Sequence, residues 1–303
     1  MKKTDLRRLH TEQSHPTATD LDRKSALEIV RAINDEDSTV AAAVRRALPQ
    51  IARAIDLVAA ALRQGGRLIY VGAGTSGRIG ALDASECPPT FNVDPRTVQY
   101  IIAGGHKALD SATEASEDDE KLGRDEMKKR KPEKRDVVIG IASSGRTPFT
   151  VAAVAEARRR GAKTIALTCN RKSPLEGVAH FAIITEVGPE VLAGSSRMKA
   201  GTAHKMVLNM ISTGAMTRLG YVYGNLMVNV VPKNEKLTQR AIGILERATG
   251  TDHETAGRTL AASGNRTPVA LVMLMAGVGR ARAVATLKKS RGNVREAIAL
   301  TEA

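Results

Sequence analysis

Apolar residues recur at steps of three and four through residues 20–63, with Val44, Leu48, Ile51, Ile55, Val58 and Leu62 in one register. That spacing predicts helices burying one face, with Asp20 or Thr19 as the first N-cap. After Gly65-Gly66 the period changes. Leu68-Ile-Tyr-Val71 is a short continuous apolar run, the pattern of a strand buried on both faces, and similar runs occupy 97–102, 136–141, 163–168 and 181–185. Helical stretches lie between them. One runs from the glycine-rich segment at 72–77 to about Ser85 and is stopped by Cys87-Pro88-Pro89; another spans 148–160 and ends at Gly161. Strand and helix in alternation predict a parallel sheet covered on both faces, with the ligand at the carboxyl ends of the strands. A long helix at 196–219 carries Leu208, Ile211, Ala215 and Leu219 in register, and a further helix reaches about Ala248. Beyond Gly250 three short Ala-rich segments predict a small helical domain. The expected organisation is an N-terminal helical segment at 1–64, a binding domain with its following helices at 65–249, and a helical domain at 250–303.

Composition adds limits. At 303 residues the chain has room for two domains, and with 2% aromatic residues and no Trp its core must be built from Ala, Val, Leu, Ile and Met. The net charge of +14 raises the question of a polyanion partner. Basic residues are dispersed, however, and the densest run, Lys128 to Arg135, is broken by Pro132 and Glu133. Single-strand binders usually add stacking aromatics, so no specific nucleic-acid partner is expected. No stretch of 18 uncharged apolar residues occurs and no apolar segment follows the basic start, which predicts a cytoplasmic protein without a membrane partner. Cys87 and Cys169 form no CxxC pair, and the six His show no ligand spacing, so neither metal nor cofactor is expected.

The chemistry concentrates in two loops. Gly72-x-Gly74-x-x-Gly77 fits the dinucleotide fingerprint, but the next strand ends Ile102-Ala-Gly-Gly105 without the acid that would hold a ribose, which argues against NAD. Thr75, Ser76, Gly77 and the N–H groups of a helix start suit a phosphomonoester instead. A tight turn needing glycines would read the same way. Ser143-Ser-Gly-Arg-Thr147 repeats the hydroxyl-rich design after another strand and before a helix opened by Pro148. Two such loops at strand ends favour a sugar phosphate, and the missing Walker lysine argues against a nucleoside triphosphate. Arg78 and Arg146 are candidate phosphate ligands, and Lys199 a candidate for a substrate carboxylate or phosphate.

The run Tyr70-Val-Gly-Ala-Gly-Thr-Ser-Gly-Arg-Ile-Gly-Ala-Leu-Asp-Ala-Ser-Glu-Cys-Pro-Pro-Thr-Phe91 resembles the signature of the N-acetylmuramic acid 6-phosphate etherases, of the sugar isomerase (SIS) fold. The resemblance continues through Thr11-Glu-Gln13, Ser143 to Phe149, Val187-Gly-Pro-Glu-Val-Leu192, Ser196 to Ala203 and Val222 to Val228, so it spans nearly the whole chain. Two departures stand near these motifs: His106-Lys107 after Gly104-Gly105, where an acid is common, and Ser14-His15, where Arg-Asn is usual.

The resemblance implies an α/β fold with a five-stranded parallel sheet flanked by helices, a flavodoxin-like sandwich, N-terminal helices and a UBA-like C-terminal helical domain. It implies a homodimer and metal-independent cleavage of the D-lactyl ether of N-acetylmuramate 6-phosphate to N-acetylglucosamine 6-phosphate and D-lactate. Glu86 matches the proton donor and Glu117 the base. The phosphate would be held by Thr75, Ser76, Gly77, Arg78, Ser143, Ser144, Gly145, Arg146 and Thr147, with Lys199 nearby. Local sequence does not single out Glu117 from Glu114, Asp118, Asp119 and Glu120 around it. A sugar-phosphate sensor of the same fold, or an aldose-ketose isomerase, is the alternative.

Overall fold

Helices α1 (Ala26–Asp37), α2 (Val40–Arg45) and α3 (Leu48–Arg63) lead into strand β1 (Leu68–Gly72). The computed structural model describes residues 11–302 apart from 12, 17, 112, 113 and 233, and leaves the side chains of Glu114 and Glu302 aside. Glu12 of the first motif and the basic start therefore lie outside the described residues. The first long helix is capped by Ser25 and not by Thr19 or Asp20: the Ser25 N–H donates to the Glu28 carboxylate at 2.8 Å while Ser25 Oγ accepts the Glu28 N–H. This reciprocal box satisfies two orphan N–H groups, whereas Asp20 precedes only a short 3-10 turn. On α3 the buried stripe is Ile51, Ala54, Val58 and Ala61, while Leu48 is 44% exposed. The alanines take positions the pattern assigned to larger residues, and α3 packs against the sheet through that smooth stripe.

Next come α4 (Gly74–Phe91), β2 (Val98–Ile102), α5 (Glu114–Glu117), α6 (Glu120–Arg130), β3 (Val137–Ile141), α7 (Pro148–Arg159), β4 (Lys163–Thr168), α8 (Pro174–Val178), β5 (Phe181–Ile184) and α9 (Lys199–Arg218). The strands form one parallel sheet in the order β2-β1-β3-β4-β5, as expected from the alternation. Strands β1 and β3 are buried at every position, which is why their sequences are continuously apolar. The chain leaves β1 in one direction for β2 and later returns on its other side for β3. This puts the topological switch point between β1 and β3, where a crevice opens at the carboxyl ends. Gly72 pairs with both Ile102 and Ile141, so the loops after β1, β2 and β3 emerge at one level.

Helix α4 does not stop before Cys87; Pro88 and Pro89 lie inside it. Inside a helix each proline removes its own N–H bond and crowds the carbonyl four residues back, a cost of about 3 kcal/mol, and the helix runs on with Cys87 buried just before the pair and Phe91 just after it. The N–H of Asn92 donates to Pro88 O at 2.8 Å and closes the last turn. Helix α9 is capped by Glu190, whose fully buried carboxylate accepts the N–H groups of Lys199 and Ala200 at 2.9 Å.

The remaining helices are α10 (Glu235–Thr249), α11 (His253–Ala262), α12 (Thr267–Ala276), α13 (Arg280–Lys289) and α14 (Val294–Glu302). Four helices thus follow Gly250, not three Ala-rich segments. The extra one, α12, is apolar almost all round, with Val269, Ala270, Leu271 and Val272 fully buried, so it is the central helix of this cluster. By contacts the chain resolves into two units: residues up to Ser85 with Arg96–Ser212, and Glu86–Pro95 with residues from Thr213 on. Among the described residues no single helix is long and apolar enough to cross a membrane.

Candidate functional site

Both hydroxyl-rich loops lie at the switch point. The first follows β1 and becomes the opening turn of α4, where Ser76 and Gly77 are buried and Thr75 is half-buried. The second follows β3. Its Thr147 is the N-cap of α7 but makes no side-chain cap, leaving the first-turn N–H groups to another partner. Ser143 and Gly145 are buried, and Ser144 Oγ accepts the Arg146 N–H at 3.2 Å.

The second loop is held from behind by the end of β4. Three donors converge on the Ser143 carbonyl: Asn170 Nδ2 at 2.9 Å, the Cys169 N–H at 3.0 Å and Thr168 Oγ1 at 3.2 Å. Gly145 has φ +68°, and a side chain there would collide with Ser173 and Thr168. The loop is thus held against the end of β4 by these bonds and by the close approach at Gly145. Arg146 Nε is buried with no hydrogen-bond partner, an orphan cationic donor of the kind that a bound anion would satisfy.

Glu117, half-buried at the end of α5, is brought to the first loop. A Cβ on Gly74 would stand 2.9 Å from Glu117 Oε1, and Gly74 has φ +51°, so glycine there serves both the turn and the carboxylate. The bridge between them is Arg78. A candidate phosphate ligand, it donates from Nε to the carbonyls of Ala108 and Leu109 at 3.0 and 3.2 Å, and from Nη2 to Ser111 O at 2.9 Å. Its guanidinium therefore clamps the segment that leads to α5. Lys199 is likewise engaged: it is 2% exposed and pairs with Glu36, which also meets His15 Nε2 at 3.1 Å. Desolvation pushes the Glu36 carboxyl up, but Lys199 and His15 more than offset this and hold it below the usual range.

Glu86 is exposed on α4, on one face with Leu82, Ser85 and Pro89. The helix itself is fixed by Asp83, 4% exposed, which accepts from Tyr70 Oη at 2.7 Å, Asn209 Nδ2 at 2.6 Å and Ser212 Oγ at 3.0 Å. That network joins β1, α4 and α9.

Family models match at residues 50–158, the glucokinase regulatory protein N-terminal SIS domain, and at 125–213, the SIS domain. An N-acetylmuramic acid 6-phosphate etherase 1 of Bacillus licheniformis is 47% identical over 302 residues, covering 100% of this chain and 99% of that one. The chain belongs to the N-acetylmuramic acid 6-phosphate etherases. A second etherase, from Symbiobacterium thermophilum, is 54% identical over 90% of this chain and 91% of its own. Among solved structures, a phosphoheptose isomerase from Francisella tularensis is similar over 64% of this chain and 100% of that one, with TM-score 0.49 and 18% identity.

As an etherase the chain is a carbon–oxygen lyase acting on a sugar phosphate. Several supports of its site escaped the sequence reading: Asp83, Asn170, Glu190 and the clamp by Arg78. Asp83, Glu190 and Arg78 fall inside motifs already singled out, but nothing in a motif says which of its residues meet the ligand and which hold the backbone. Asn170 had no signal beyond its place just after a strand.

Proposed function

We propose that the chain cleaves the D-lactyl ether of N-acetylmuramate 6-phosphate by elimination of lactate and re-addition of water, without a metal. The observation that carries this reading is a carboxylate, Glu117, set against the glycine of an anion loop at the switch point. The first-turn N–H groups and hydroxyls of Thr75, Ser76 and Gly77, with Ser143, Ser144, Gly145, Arg146 and Thr147, hold the 6-phosphate between two helix N-termini. Arg78 and Lys199 support the site through the carbonyls of 108–111 and through Glu36.

With the sugar ring open, the C1 aldehyde acidifies the C2 proton, which Glu117 removes. The C3–O bond breaks as Glu86 protonates the departing lactate oxygen, leaving a C2–C3 double bond conjugated with the aldehyde. Water then adds at C3, giving a proton to Glu86, and the protonated Glu117 returns a proton to C2. Each transfer is worth about 10² to 10⁴ in rate. The place of Glu86 on an exposed face beside Leu82, 50% exposed, supports a homodimer in which a second copy supplies the donor. The same reading places the chain in the cytoplasm, in recycling of cell-wall amino sugars or catabolism of muramate.

A sensor of this fold would need no carboxylate at Gly74, and an isomerase would release no lactate. In H₂¹⁸O, the expected products are D-lactate and N-acetylglucosamine 6-phosphate labelled at C3. Absence of lactate, or an unchanged rate in a Glu86→Gln, Glu117→Gln double variant, would sink the proposal.

A further inference from the structure

From Thr255 to Arg295 the chain contains no Asp or Glu, but it contains Arg258, Arg266, Arg280, Arg282, Lys288, Lys289, Arg291 and Arg295. These 41 residues carry a formal charge of +8 out of +14 for the whole chain, so more than half of the excess falls between Thr255 and Arg295. The proposed reaction uses none of it.

Part of this charge surrounds a cavity of about 750 Å³ within the second unit, a size in the range of small-molecule sites. Three cations line it: Arg266, Lys288 and Arg291. No carboxylate lines it, and none of the three makes an ion pair or a side-chain hydrogen bond among the described residues. Cations left unpaired around one cavity raise its potential instead of cancelling one another. Asn92, Asn229 and Asn265 add amide donors.

The backbone contributes as well. The first turn of α12, which no side chain caps, lines the same cavity and is anchored by Thr267 Oγ1 donating to Val230 O at 3.0 Å. Its dipole adds positive potential there. Asn92, Asn265 and Arg291 have φ of 52°, 57° and 53°, so three of the five non-glycine residues in the left-handed region among the described residues belong to this cavity. An arginine gains nothing from that conformation and costs about 1 kcal/mol more than glycine would. Holding its side chain at the cavity gives the arginine at 291 a reason. The floor is apolar, with Val230 and Leu287 buried and Pro268 and Val284 beside them.

We propose that this cavity is a second anion site, taking the phosphate end of a small phosphorylated molecule whose carbon part rests on the Val230–Leu287 floor. It is separate from the loops after β1 and β3 and does not depend on the reaction assigned to them. The test uses the full chain and inorganic pyrophosphate, followed by isothermal titration. The parent is expected to bind at the cavity, and an Arg266→Gln, Lys288→Gln, Arg291→Gln variant to weaken that binding about tenfold or more, with its melting temperature kept because the three residues are exposed. A Ser143→Ala, Ser144→Ala variant should retain it, which separates this site from the first. Arg280→Gln, Arg282→Gln and Lys289→Gln remove the same charge outside the cavity and should leave binding within about twofold of the parent. Equal binding by the parent and the cavity variant would overturn the proposal. So would an equal loss in the two charge-matched variants, or an oligonucleotide that both variants weaken alike, since each would make the surface a general polyanion attractor.

Discussion

A methyl group on Gly74 would meet Glu117 Oε1 at 2.9 Å on a backbone with φ +51°. Gly74→Ala is therefore expected to lower kcat about tenfold or more by displacing the carboxylate, and to cost about 1–2 kcal/mol of stability through the left-handed backbone. Turnover and melting temperature measured together separate the two effects, because Glu117→Gln should lose turnover with little change in melting. His204 decides a different property. Burial alone pulls its imidazole from 6.5 down to about 4, and its Nδ1 is buried without a hydrogen-bond partner. The folded chain thus holds it neutral while the unfolded chain protonates it below pH 6.5. Stability is full above 6.5 and falls as pH drops toward 4, by about 2 kcal/mol between pH 7 and pH 5. His204→Gln should flatten the urea midpoint across that window. Beside it, burial pushes the Cys169 thiol up to about 12, so this cysteine stays protonated and unreactive.

Among elements, β1 and β3 flank the switch point and are tied together at their starts. Asp136, 1% exposed, accepts from Arg67 Nη2 at 2.6 Å and from the N–H groups of Arg67 and Glu133 at 2.8 and 2.9 Å. Desolvation pushes its carboxyl up, but the guanidinium and the two N–H groups outweigh that and hold it below its ordinary 3.8. This contribution is present above pH 3.8 and is lost as pH falls through the lower folded value, a window beneath that of His204. Asp136→Asn leaves Arg67 unmatched and should cost about 3 kcal/mol, read as a lower urea midpoint at pH 7. Helix α4 shows how far an element departs from its local rules. Its prolines forbid two backbone bonds, and the helix continues with Cys87 buried just before them and Phe91 buried just beyond them.

At the scale of the whole molecule, the proposed donor and base stand on different elements, Glu86 on α4 and Glu117 on α5. If two copies share each site, mixing Glu86→Gln and Glu117→Gln chains, each inactive alone, should restore about a quarter of the parent activity: half the dimers are mixed, and each has one intact site. No recovery after exchange would exclude the shared site. The parallel sheet was legible in the sequence because buried strands must be continuously apolar, and the two loops because an anion site at a helix start needs small and hydroxyl residues next to a strand end. Glu86 was singled out by the resemblance of its surroundings to a family signature and not by a local rule. Glu117 was not legible along the chain either, since it stands among four other acids and only the clamp from Arg78 and the gap left by Gly74 set it apart. The N-cap at Ser25, the fourth helix after Gly250 and the run of α4 through two prolines also lay beyond local pattern. The sequence by itself determined which segments are strands and which loops carry the small and hydroxyl residues that suit an anion, because those depend on neighbours along the chain. Only the tertiary structure decided that Glu117 meets Gly74, that Arg78 and Lys199 bind protein groups, and that three unpaired cations share one cavity, because each depends on residues brought together across the fold.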